Sequence, residues 1–117
     1  MENTIKENAQ DVFNMLAKGQ FIEAMDKYFD NDVQLFEGNN PSKEGKEHCI
    51  NIEKEILSNV GEFIQYTVSN FAVSGDTSFS EAIMEYKEKD GTHVKVEQAV
   101  VSKWKDGKIV QERFYHA

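Results

Sequence analysis

The sequence predicts an α+β fold in which three N-terminal helices pack on a mostly antiparallel sheet. Three observations carry this reading. Apolar residues at helical spacing are confined to the first half of the chain. The second half is a succession of β-branched and aromatic segments, and the connections SGDT, KDGT and KDGK separate them. Helices followed by strands is the segregated order of an α+β fold, whereas a parallel α/β sheet alternates the two. At 117 residues the chain has room for one core, so residues 1–117 are read as a single domain.

Ile5, Ala9, Val12, Phe13, Leu16 and Ala17 recur at three- and four-residue spacing, which predicts an amphipathic helix near 4–18 that stops at Gly19. Phe21, Ile22, Met25, Tyr28 and Phe29 give a shorter second helix its apolar face. Asn31-Asp32 then break it before a short strand from Val33 to Glu37. GNNPS, residues 38 to 42, is a loop by composition. Ser42 with Gly45 opens a third helix that carries Cys49, Ile52, Ile56 and Leu57 and ends near Val60-Gly61. FIQYTVSNFAV, SFSEAIMEYK, HVKVEQAVVSKW and KIVQERFYH read as four strands.

Reading Asp90-Gly91 and Asp106-Gly107 as two-residue hairpin turns sets the register by counting outward. Met84 then faces Glu97, Val101 faces Glu112, Ala99 faces Phe114 and Glu97 faces His116. Side chains alternate between faces, so one face carries Ser80, Ala82, Met84, Tyr86, Glu97, Ala99, Val101, Val110, Glu112, Phe114 and His116. That is the face expected to meet the helices. The opposite face holds Trp104 and Tyr115, residue types enriched at interfaces.

The formal net charge of −8, from 13 basic and 21 acidic residues, argues against a nucleic-acid partner, because the basic residues are scattered. No stretch reads as a membrane span or signal peptide, which leads to an expectation of a cytoplasmic protein without a membrane partner. The lone Cys49 excludes an internal disulfide and multi-cysteine metal motifs, and it reads as a small buried hydrophobe. His48 and His93 have no local partner at metal-ligand spacing, so no metal is expected. Glycine-rich phosphate loops and nucleophile motifs are also missing, so no cofactor and no covalent catalysis are expected.

YFDNDVQLFEG (28 to 38), SKEGKEHCINIEKEI (42 to 56) and KVEQAVVSKWKDGKIVQERFYH (95 to 116) stand behind one another in an order that resembles the SnoaL-like polyketide cyclase group of the nuclear transport factor 2-like superfamily. The resemblance spans nearly the whole chain. It implies a cystatin-like α+β cone, in which helices cover a strongly curved sheet and leave an apolar pocket, often in a homodimer built on the outer sheet face. Its members include isomerases, cyclases, hydrolases, dehydratases and silent binding domains, so the fold alone says little about function. The sequence also departs from the group: other residues fill the positions where its enzymes place an acid-base aspartate or histidine.

Glu97, Glu112 and His116 form the sharpest chemical group, with the catalytic roles assigned to them. A carboxylate in an apolar cavity has its pKa raised by desolvation, which tunes it as a general acid or base near neutral pH. The alternative is that Glu97 and His116 form a cross-strand pair of little energetic weight while Glu112 lies at the cavity rim in water. Tyr28, Phe36, Met84, Tyr86 and Phe114 are the candidate ligand-binding residues, with Tyr28 and Tyr86 as hydrogen-bond donors. The function expected is binding of a small, largely apolar molecule between helices and sheet, with cofactor-independent proton transfer of the isomerase or cyclase type. The alternative is a non-enzymatic binding or association module with a filled pocket. Self-association is expected through the outer sheet face at Trp104 and Tyr115.

Overall fold

A computed structural model describes residues 2–116. Helix α1 spans Glu2–Ala17, α2 spans Phe21–Tyr28 and α3 spans Lys46–Ser58. The strands are β1 (Phe29–Glu37), β2 (Lys43–Glu44), β3 (Val60–Ser74), β4 (Thr77–Glu88), β5 (His93–Lys105) and β6 (Lys108–His116). They form one curved six-stranded sheet in the order β2-β1-β6-β5-β4-β3, antiparallel except where β1 runs parallel to β6. The predicted α+β fold with three helices covering the sheet is the observed one.

Helix α1 ends where Gly19 N–H bonds Leu16 O and Gln20 N–H bonds Met15 O, the paired bonds of a Schellman motif. Asn31 and Asp32 do not interrupt the chain as expected. They lie inside β1, where the ladder with β6 is irregular between Phe29 and Gln34 and Asp30 accepts the Asp32 N–H at 2.9 Å. Ser42 does not cap α3 either: Gly45 precedes the helix, and Lys43–Glu44 pair with β1. Ile5 and Ala9 of α1 join Tyr28, Phe29, Val33, Cys49, Trp104 and Ile109 in the core. Edge-to-face contacts of Phe13 with Phe71 and of Phe21 with Phe63 lay the helices against β3.

The two Asp-Gly turns differ, and the difference resets the sheet. Asp106 (φ 52°) and Gly107 (φ 78°) both adopt positive φ, the two-residue turn expected between β5 and β6. At the earlier turn only Gly91 does so, with φ 91°. Glu88 N–H bonds Thr92 O at 2.8 Å, enclosing a three-residue loop that ends in a left-handed glycine. Met84 therefore faces Val96, not Glu97, and Ile83 faces Glu97. A second one-residue shift follows in β6, where Trp104 pairs with Ile109 but Lys103 pairs with Gln111, leaving Val110 as a bulge. Beyond it Ser102 faces Glu112, Val100 faces Phe114 and Gln98 faces His116.

A one-residue slip exchanges the faces of a strand. The first shift turned Glu97, Ala99 and Val101 to the outer face and brought Gln98, Val100, Ser102 and Trp104 inward. The second shift restored Glu112 and Phe114 to the inner face, because the two slips cancel in β6. Trp104 is thus corrected from interface to core: it is 4% exposed and donates from Nε1 to Ser78 Oγ at 2.9 Å.

Candidate functional site

The inner face of the sheet and the three helices enclose a cavity of about 320 Å³. Its wall is mainly apolar: Phe13 and Leu16 of α1, Phe21 and Met25 of α2, Ile52 and Leu57 of α3, and Phe63, Met84, Val100 and Phe114 of the sheet contribute to it. Small residues keep the space open. Ser78, Ser80 and Ser102 face inward and are themselves buried, so the middle strands lack the bulk that would fill the cone.

Glu112 lies in this wall on β6. Burial pushes its carboxyl up from 4.5 to about 7, and the Ser102 hydroxyl, which donates to Oε2 at 2.8 Å, pulls the other way. Both protonation states are thereby populated near neutrality. Tyr66 on β3 lines the same cavity, its phenol pushed up to about 12 by burial and by the Glu112 charge, while the Gln98 side chain opposes the shift. Tyr86 and Glu53 also line it. Burial raises both of their pKa values. Neighbouring Lys43 partly offsets the rise at Glu53, and the Glu37 charge adds to it.

The predicted site residues separate. Glu112, Met84, Tyr86 and Phe114 come together on the cavity. Glu97 does not, because the β4–β5 turn places it on the outer face, exposed. His116 is exposed, and its Nε2 lies 3.5 Å from Glu37 Oε2. Tyr28 is buried outside the cavity lining: its hydroxyl donates to Asp11 Oδ2 at 2.5 Å and its ring meets Trp104 edge-on. Phe36 is on the other side of the sheet under the Arg113 guanidinium, 4.1 Å from the ring centroid. Ser102, Tyr66, Gln98 and Glu53 were missed by sequence reasoning. Gln98 and Ser102 are polar residues of β5 whose inward placement depends on register, and no local pattern singled out Tyr66 on β3 or Glu53 on α3.

Among the described residues no group of three or more His, Cys, Asp or Glu is arranged to hold a metal ion, and no helix is long and apolar enough to cross a membrane.

Residues 3–116 match the family described as the SnoaL-like domain. Among solved structures, a candidate SnoaL-like polyketide cyclase from Mesorhizobium loti is 27% identical, with a TM-score of 0.82 over 95% of this chain and 97% of the other. One from Jannaschia sp. CCS1 is 17% identical, with a TM-score of 0.84 over 98% and 86%. TerC, crystallised with polyporic acid, is 15% identical, with a TM-score of 0.80 over 97% and 92%. The last two likenesses speak to fold alone. No protein with a curated description matches the sequence.

Proposed function

Since the chain belongs to the SnoaL-like domain family, we propose that it binds a small, largely apolar molecule in the cavity and moves a proton on it without a cofactor, in an isomerase- or cyclase-type reaction. The observation that supports this most is Glu112, a carboxylate in an apolar wall whose pKa of about 7 suits it to accept and return a proton near neutral pH. Ser102 holds the carboxylate in place. Tyr66 and Tyr86 supply phenol donors for an oxygen that becomes negative during proton abstraction.

In the same reading the protein is a cytoplasmic homodimer that associates through its outer sheet face, where Phe79 is 43% and Tyr115 50% exposed. Light scattering would check this, with Phe79→Glu expected to give a monomer. A wild-type mass that stays monomeric at every concentration would refute it.

The catalytic reading is tested by NMR-detected deuterium exchange into a panel of cyclic ketones. Glu112→Gln should lower the exchange rate by about 10² or more, and exposed Glu97→Gln should leave it unchanged. Equal rates in wild type and Glu112→Gln would sink the assignment. Binding without exchange would make the protein a binding module.

A further inference from the structure

The charge of the cavity wall narrows what the cavity takes. Among the described residues that line it, the charged side chains are Glu37, Glu53, Glu112 and Lys43, so carboxylates outnumber the single ammonium. Two of them have acceptor capacity to spare. Glu112 accepts from Ser102 through Oε2, and its other oxygen takes no hydrogen bond from a described residue. That oxygen is not sealed away either, since no buried side-chain oxygen or nitrogen among the described residues lacks a partner. It opens on the cavity. Glu53, on α3, takes no hydrogen bond from a described residue, and Lys43 reaches it as a charge, not as a close ion pair.

Resting on the reading of this cavity as a binding site, we infer that it selects apolar molecules bearing a cationic nitrogen and rejects the corresponding acids. A buried carboxylate is costly unless it is paired, and an ammonium brought in by the ligand supplies the missing partner together with N–H donors for the open oxygen. An anion entering the same space meets Glu53 and Glu112 with Lys43 as the one ammonium in the described wall, and the low-dielectric surroundings magnify that repulsion. The rings of Phe63, Tyr66 and Phe114 stand in the same wall and add favourable faces for a cation.

Three probes with one aromatic body test this: 1-naphthylmethylamine, 1-naphthalenemethanol and 1-naphthoate, titrated into the full chain at pH 7.5. Quenching of Trp104, the single tryptophan and part of the cavity wall, reports binding, with calorimetry as a second readout. The amine should bind about tenfold or more tighter than the alcohol, and the naphthoate about tenfold or more weaker. Glu53→Gln and Glu112→Gln should each shrink the amine's advantage over the alcohol, whereas Glu97→Gln should leave it intact. Naphthoate binding as tightly as the amine overturns the inference, as does an amine advantage unchanged in both variants. Alcohol binding with no charge preference overturns it while the cavity reading stands, and failure of all three probes overturns both.

Discussion

Ser102 on β5 donates a 2.8 Å hydrogen bond to Glu112 on β6, directly across the hairpin and inside the cavity. The pair sets two opposing influences on one carboxyl: burial keeps the proton on, and the serine hydroxyl favours its departure. Both halves can be measured.

Folded Glu112 ionises at about 7, against 4.5 for the ordinary side chain. Between these values the folded state holds a proton that the unfolded chain has already lost, so the group's contribution to stability falls as pH rises through the window. It falls by about 3 kcal/mol in all and is flat below and above. Glu112→Gln should abolish that fall and be more stable than wild type at pH 8 by about 1–3 kcal/mol. Urea denaturation at pH 4, 6 and 8 measures it, and the same slope in both proteins would contradict the placement of Glu112.

Ser102→Ala removes the one hydrogen bond that favours the charged form. The Glu112 titration should move further above 7, and the variant should lose about 1 kcal/mol of stability at pH 8. A ¹³C-detected titration of labelled glutamate carboxyls would show the shift. A midpoint that moves down would mean that the serine is not the donor.

Trp104→Phe deletes the indole N–H that bonds Ser78 Oγ at 2.9 Å and leaves a gap beside Tyr28. The expected cost is about 1–3 kcal/mol by thermal or urea unfolding. Because Trp104 is 4% exposed, the molecular mass in light scattering should not change. A mass that drops at unchanged stability would return this residue to an interface.

Two glycines should fail for different reasons. At Gly107 an added Cβ would have room, with its nearest neighbour Asn8 Nδ2 at 3.7 Å, so Gly107→Ala meets only the φ of 78° and should cost about 1 kcal/mol. At Gly61 the Cβ would stand 3.1 Å from Glu88 O and 3.2 Å from Lys89 Cα, which are backbone atoms. Gly61→Ala should therefore lose more, about 2–3 kcal/mol, as the β3–β4 ladder shifts. Parallel denaturation curves decide the order.

The helical half and the strand content were legible because each rests on a local period: Ile5, Ala9, Val12 and Leu16 mark one helix face whatever lies opposite them. The cavity was less so. Both Asp-Gly pairs read as the same turn, and in the structure one closes two residues and the other three, because only Gly91 takes positive φ at the first. Glu112 was placed inside correctly through two errors that cancel, and Glu97 was placed inside by one that did not.

What the sequence by itself determined is the order of the three helices and the five longer strands, though not the two-residue β2, and the family to which the chain belongs, since spacing, composition and turn residues are written along the chain. Which side chains face the cavity was decided only in the folded sheet. A bulge at Val110 and a three-residue loop at Gly91 each displace a strand by one position. A one-position displacement exchanges every inward residue for an outward one. That choice depends on how the strands bury Trp104, Ser102 and Glu112 against the helices, a cost settled in three dimensions and carried by no local pattern.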